Sequence, residues 1–383
     1  MLKTIRPYIR KYFERADVFL LVVCLISSIL GTVMISSAVS AYTSPGRYIF
    51  IQIFSIFLGV AAFVLFTVID SDILGENWQW LCVINVGLLI LLVFFGQDDG
   101  TGNKAWIRFA GIGIQPSEVI KVLYIIISAY QMTFIKEHGD INSFRSVVMM
   151  AGHFIVVFGL IVFVSADLGS ASILLFIFLV MLFMLGVKLY WFGIAGAAVA
   201  AVIPLLWSFF LKPYQQQRLL APYDKTIDPD GYGITWQTSQ SRLALASGRL
   251  TGIFSEHGLR TQESTAFTGK HTDFIFSVFG EEFGMIGCLV VILLLAIIVI
   301  HCVKVGLQAT RTFDMLICFG VAASFCFQSF INIGMCIGIT PVIGITLPFF
   351  SYGGSSMVTS FAAAGLISGI KFKPKPELFR IVY

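Results

Sequence analysis

The chain has 383 residues, of which 57% are hydrophobic and only 12% charged, and its mean hydropathy is +0.90. The charged share is about half that of an ordinary soluble domain, which excludes a water-soluble enzyme, a disordered chain and a secreted disulfide scaffold; the bilayer must act as solvent. A net charge of +4, from 25 basic and 21 acidic residues, implies no nucleic-acid partner.

Residues 1–16 form a basic N-terminal segment with Lys3, Arg6, Arg10, Lys11 and Arg15. A transmembrane helix needs roughly 20 apolar residues. About ten stretches meet or approach that length: 18–40, 49–69, 79–95, 117–135, 147–164, 169–186, 189–210, 274–302, 312–337 and 343–370. The first is too long and begins too late for a cleaved signal peptide. The sixth and seventh are joined by a short link around Val187 and Lys188, which predicts a tight helical hairpin. Residues 211–273 form a long loop between spans seven and eight, far beyond the usual connection length. Such loops usually carry function. The predicted fold class is an all-α polytopic membrane protein with about ten transmembrane helices, a single integral domain over 1–383. The seven cysteines lie in or beside apolar runs and read as small buried hydrophobes, not as disulfides or zinc ligands.

Basic residues set the orientation. The N-terminal set falls on one side with Lys136, Arg145, Lys188, Lys304, Arg311 and the 371–383 tail, which carries Lys371, Lys373, Lys375 and Arg380. Only Arg47, Lys104 and Arg108 fall in short loops on the other side. Both termini are therefore expected in the cytoplasm, and the long loop outside it, where no ATP is available. Trp78, Trp80, Trp191 and Trp207 fall near span ends, as interfacial aromatics do.

An ionisable side chain within a span costs a few kcal/mol or more, so each is a functional candidate. In Gln115-Pro116-Ser117-Glu118-Val119-Ile120-Lys121, Pro116 suits a first helical position and Glu118 a first turn. Glu118 and Lys121 share a helix face, so a structural ion pair and a polar ligand pocket are both open readings. Trp106, Arg108 and Lys104 add an aromatic and two cations on the same side, although a lone Trp is more simply a belt residue. Asp167, before Leu168-Gly169, reads first as an N-cap.

Asp273 closes the long loop, and the same capping reading applies to it. Two features weigh against that reading. Apolar residues follow it directly, so partial desolvation should raise its pKa toward that of a useful base. Lys270 and His271 beside it supply positive charge for an anionic ligand. Glu281 lies eight residues on, about 12 Å along a helix, too far for a retaining carboxylate pair about 5 Å apart. A single catalytic base is the more economical expectation. In the last span, Pro348 and then Ser351-Tyr352-Gly353-Gly354-Ser355-Ser356 predict a broken helix. Its free N–H groups and serines either cradle phosphate oxygens or serve close helix packing.

These segments together resemble the SEDS family (shape, elongation, division and sporulation), which includes RodA, FtsW and SpoVE. The marks are Trp106, Gln115-Pro116-Ser117-Glu118 with Lys121, Asp167-Leu168-Gly169, Trp236-Gln237 with Ser247-Gly248, His271-Thr272-Asp273 with Gly280-Glu281-Glu282, Asn332-Ile333-Gly334-Met335, and Pro348 with Ser351 to Ser356. The Asn-Ile-Gly-Met segment and the short N-terminus are nearer to RodA. There are departures: Ser165-Ala166 stands where the family often has Gln-Pro, Arg249 and Phe254-Ser255-Glu256-His257 interrupt a Gly-rich loop, and Thr268-Gly269-Lys270 replaces a common Pro.

The resemblance implies peptidoglycan glycosyltransfer, in which lipid II is polymerised at the outer face of the bacterial cytoplasmic membrane with undecaprenyl pyrophosphate as leaving group. Asp273 would be the base. Lys121, Arg108, Lys270, Arg242 and Arg218 are candidate cations for the pyrophosphate, with Trp106, Glu118, Glu281, Ser351, Gly353, Gly354 and Ser355 completing a substrate site. A divalent cation, magnesium or manganese, would help, although no ligand cluster in the sequence establishes one. The implied partners are a class B penicillin-binding protein, which is a transpeptidase, further elongation or division machinery, and membrane lipid. A lipid II flippase and a non-catalytic cell-wall scaffold are the rival readings. Because the tail lies opposite the expected site, truncation after Lys371 should leave polymerisation in detergent intact; its complete loss in a folded truncation would contradict this topology.

Overall fold

The computed structural model describes residues 16–40, 42–97, 104–109, 112–209, 211–253 and 269–371. The basic N-terminal residues, the tail after Lys371 and the family departures at 254–257 and 268 lie outside the described residues. Spans one to three are α1 (Val18–Ala38), α2 (Pro45–Val68) and α4 (Trp78–Phe95), with the short α3 (Ser71–Glu76) between the last two. A two-stranded hairpin, β1 (Ile107–Phe109) and β2 (Ile112–Ile114), precedes α5 (Pro116–His138). Then come α6 (Phe144–Ser165), α7 (Leu168–Leu185) and α8 (Leu189–Phe209). The long loop contains α9 (Pro213–Leu220) and α10 (Trp236–Gly248). The chain ends with α11 (Ile275–Gln308), α12 (Thr312–Ile337) and α13 (Gly354–Lys371).

Nine of these helices are long and apolar enough to cross a membrane. The tenth, α13, is shorter and richer in Gly, Ser and Ala, yet nearly all of it is buried. Its small residues let it lie against α2: a Cβ on Gly365 would come within 2.5 Å of the Phe63 carbonyl oxygen. Such backbone approach is the packing mode that replaces the hydrophobic effect between helices in lipid. The span expected over 343–370 is helical only from Gly354; residues 341–347 are irregular and a turn follows at Pro348. Pro348 and the Gly353-Gly354 pair account for the break.

Helix α11 is also interrupted. Gly284 has φ 63° and ψ −158°. The freed amides of Met285 and Ile286 donate to the carbonyls of Arg249 (2.9 Å) and Leu250 (3.2 Å), and Ile253 N–H donates to the Glu281 carbonyl (3.0 Å). The chain leaving α10 thus plugs the break, which satisfies the rule that no backbone group in hydrocarbon stays unpaired.

The described chain ends meet at one end of the bundle. Asp17 caps α1 through Leu20 N–H (3.2 Å), receives Lys371 Nζ at 2.9 Å and His301 Nε2 at 2.5 Å, and its own N–H donates to Ser368 Oγ (2.8 Å). Burial raises the Asp17 pKa, but the bonds from His301 and Lys371 outweigh it and hold the carboxyl below its usual range. Gly354, at the other end of α13, is separated from this cluster by about 26 Å of helix rise. Helix α8 stands apart, with none of its described side chains buried. It is tied mainly near its ends, where Asn142 accepts from Lys188 N–H (2.8 Å) and Trp191 Nε1 (3.1 Å), and Gln216 donates to Trp207 O (2.6 Å). Replacing Gly365 by Val should force α2 and α13 apart and cost about 1–3 kcal/mol; thermal unfolding in detergent checks this, and an unchanged Tm would disprove the close approach.

Candidate active site

The turn that carries Asp273 is pinned through its backbone. Thr272 and Phe274 N–H donate to the Gly269 carbonyl, both at 3.1 Å, and Tyr352 N–H donates to the His271 carbonyl at 2.9 Å. Ser351 Oγ donates to Thr272 O (2.6 Å), and Asn332 Nδ2 donates to Asp273 O (2.8 Å) and Ile345 O (2.7 Å). The side chain is left for other work. Phe274, not Asp273, occupies the cap position of α11, and no side chain caps that helix.

The Asp273 carboxylate instead faces a cavity of about 470 Å³ between the hairpin, α9, α10 and the broken last span. Trp106 and Arg108 line it from the hairpin, on one face of the strand because their spacing is two. Gly353 and Gly354 line it from the break. Arg218, Asp167, Gln115, Gln237 and Tyr352 complete its polar wall. Burial pushes the Asp273 pKa up to about 6; Arg218 opposes that rise and Asp167 adds to it. Burial, together with the Lys270 charge, lowers the neighbouring His271 to about 4, so its imidazole is neutral at pH 7.

Asp167 is the N-cap of α7, accepting from Ser170 N–H at 2.9 Å, and is more than a cap. Its Oδ2 also accepts from Ser170 Oγ (2.7 Å), Gln115 Nε2 (3.2 Å) and Ser117 Oγ (3.3 Å). Ala166 before it takes φ 53°, a left-handed geometry that a proline ring cannot adopt. The departure from Gln-Pro therefore changes the backbone entering the cavity.

Other expected ligand groups are engaged elsewhere. Glu118 and Lys121 form a buried ion pair at 2.8 Å, with Thr359 Oγ1 3.5 Å from the second Glu118 oxygen, and neither lines the cavity. Their i,i+3 spacing makes each the nearest partner of the other. Ser351 and Ser355 build the wall and do not project from it: Ser351 Oγ accepts from Leu347 N–H (2.7 Å), and Ser355 Oγ accepts from Gln115 N–H (3.0 Å). Lys270 is buried 5.7 Å from the Tyr42 ring centroid and feels the charge of buried Glu281. Arg242 donates Nε to Ile337 O (3.0 Å) and lines a second cavity.

A protein-family model covering FtsW, RodA and SpoVE, described as "Cell cycle protein", matches residues 17–375. The chain belongs to the FtsW/RodA/SpoVE family. It is 31% identical over 370 residues to the probable peptidoglycan glycosyltransferase FtsW of Geobacter sp. (strain M18), covering 93% of this chain and 97% of that protein. It is likewise 31% identical over 347 residues to the peptidoglycan glycosyltransferase MrdB of Escherichia coli (strain K12), covering 89% of this chain and 91% of that one. Among solved structures it resembles a chain from work on the structural coordination of polymerization and crosslinking by a peptidoglycan synthase complex. That match has a TM-score of 0.77 at 27% identity over 93% of this chain and 97% of that one. The rod shape determining protein RodA of Thermus thermophilus shares the fold, with a TM-score of 0.68 at 23% identity over 93% and 96% of the two chains.

Of the five candidate cations, Arg108 and Arg218 line this cavity, while Lys121, Lys270 and Arg242 do not. Gln115 and Tyr352, which belong to two of the motifs, line it as well. The one signal for Arg218 was Pro213, which starts a short helix and so brings an ordered element into the loop. Removing one partner of a buried pair costs about 3–5 kcal/mol. Lys121→Met should therefore lower Tm sharply, Lys104→Met hardly at all, and Glu118→Gln/Lys121→Met should recover most of the loss. A double variant as unstable as Lys121→Met would argue against mutual neutralisation.

Proposed function

We propose that the protein is a peptidoglycan glycosyltransferase that polymerises lipid II at the outer face of the cytoplasmic membrane, with Asp273 as general base. The observation that carries this reading is a carboxylate held at about pKa 6, not used as a cap, in a cavity that also holds Arg108 and Arg218. The names of the relatives support the activity. In the step, an Asp273 carboxylate oxygen takes the proton of the acceptor sugar's 4-hydroxyl. The acceptor's 4-oxygen, freed of its proton, bonds to the donor's anomeric carbon, and the bond from this carbon to the pyrophosphate oxygen breaks. Undecaprenyl pyrophosphate leaves with the electron pair. Arg108 and Arg218 meet the developing charge in a partly desolvated chamber, where fixed charges act strongly. Asp167, held by its several donors, fixes the local field. Glu118 and Lys121 support the helix beneath the cavity.

Among the described residues, no group of three or more His, Cys, Asp and Glu side chains is placed to hold a metal ion. The cavity carboxylates are Asp167 and Asp273, and the first is engaged by its own donors, so these residues do not form a preformed divalent-cation site.

The meeting of Asp17 with Lys371 supports an arrangement with both termini on one side, which the basic residues assign to the cytoplasm. The partner in this reading is a class B penicillin-binding protein, in keeping with the synthase complex that the fold matches. The isoprenoid tails occupy apolar surface between helices.

Asp273→Asn should reduce polymerisation of labelled lipid II by about 10²–10⁴, and Asp273→Glu should also be impaired by displacement of the carboxylate. Because the folded pKa is raised to about 6, wild-type activity should fall as pH drops below that value. Protonation favours the folded state, so any stability Asp273 contributes is present at low pH and lost as pH rises through about 6. The Asn variant should therefore be no less stable near pH 8. Near wild-type strand synthesis by a folded Asn variant would overturn the assignment, and movement of lipid II between leaflets without strand formation would favour a flippase.

A further inference from the structure

The long loop encloses a second cavity, of about 290 Å³, lined in part by Arg218, Lys225, Asp228, Asp230, Thr238 and Arg242. Arg218 and Val342 line this cavity and the Asp273 cavity alike, so the two chambers share a wall. Its volume lies near the lower end of small-molecule pockets, about 300 Å³, enough for a single sugar.

The lining narrows the ligand class. Three cations, Arg218, Lys225 and Arg242, stand with three carboxylates, Asp224, Asp228 and Asp230, so the cavity selects for no net charge. Two of the carboxylates shape the loop itself. Asp224 accepts from Thr226 Oγ1 (2.7 Å) and N–H (2.9 Å), and Asp228 accepts from Thr235 Oγ1 (2.7 Å) and N–H (2.9 Å). The walls are therefore preformed. The Arg242 guanidinium lies against Gly338, where a Cβ would come within 2.6 Å of its Nε, and that Nε is spent on Ile337 O. Its terminal nitrogens remain as donors, and the Thr238 hydroxyl adds a group that both donates and accepts. Between the lining residues Gly231 and Thr235, Tyr232 is 77% exposed and stacks on Trp236 at 5.3 Å. An exposed aromatic face beside a charge-balanced polar chamber suits a neutral polyhydroxylated ring. It does not suit a lipid tail or a phosphate.

We propose that this second cavity binds a sugar of the glycan strand adjoining the pair that reacts at Asp273, so that the loop holds the strand between successive transfers. This inference rests on the glycosyltransferase reading above. In native membranes supplied with labelled lipid II, Thr238→Trp should fill the chamber and Tyr232→Ala should remove the platform. The ratio of long strands to two-unit products should fall about tenfold in the first, the equivalent of one lost contact of about 1.4 kcal/mol, and severalfold in the second. Tyr232 is exposed, so its variant tests the idea even if Thr238→Trp does not fold. Binding of a β-1,4-linked N-acetylglucosamine tetramer to Asp273→Asn protein should weaken in parallel when Tyr232→Ala is added. An unchanged product ratio or tetramer affinity in folded Tyr232→Ala protein overturns the strand-holding site alone, whereas a wild type that joins no lipid II overturns the parent reading as well.

Discussion

A backbone group that leaves a helix inside a bilayer must find its partner in the protein. This constraint organises the molecule. The chain leaves helical geometry at Gly284 and again through 341–353. Each break recruits a distant segment to satisfy it. The turn after α10 supplies Arg249 O and Leu250 O to the first, and Asn332, Ser351 and Gln115 tie the second to the Asp273 turn and the start of α5. The second break and the Asp273 turn border one cavity together.

The same economy explains the division of labour among the polar residues. Serines and Asn332 are consumed in fixing carbonyls and amides, so they position the site without facing it. The charges split into two classes. Glu118 with Lys121, and Asp17 with His301 and Lys371, are paired within the bundle and neutralise one another. Asp273 and Arg218 line open volume instead. A carboxylate that neither caps a helix nor closes an ion pair retains its capacity to move a proton, and burial tunes it toward neutral pH. The loop contributes more than a cover: α9 brings Arg218 to the wall between the two cavities, and α10 brings Gln237 to one and Thr238 to the other.

Much of this was legible in the sequence. Span positions, the short link at Val187–Lys188 and the broken last span follow from local signals: runs of apolar residues, a short link, and Pro and Gly in hydrocarbon; the tight packing expected across that link does not form, because α8 stands apart with none of its described side chains buried. These depend on the cost of placing each residue in lipid, which a linear reading estimates well. The family resemblance, carried by motifs spread over the chain, agrees with the match over residues 17–375. The hairpin that aims Trp106 and Arg108 was not legible, because three-residue strands leave too little pattern.

What the sequence by itself determined, then, is the solvent, the approximate set of apolar crossings, and one acid at a span boundary. The tertiary structure alone decided which charges pair and which remain. Glu118 and Lys121 admit both an ion pair and a ligand pocket in the sequence, and their 2.8 Å contact makes the pair; Arg218, one of five candidate cations, reaches the wall of the Asp273 cavity because α9 carries it there. The reason is physical. Burial cost is a property of one residue and its neighbours along the chain, whereas pairing and cavity shape depend on distances between elements hundreds of residues apart, such as Asp17 and Lys371, which no local pattern encodes.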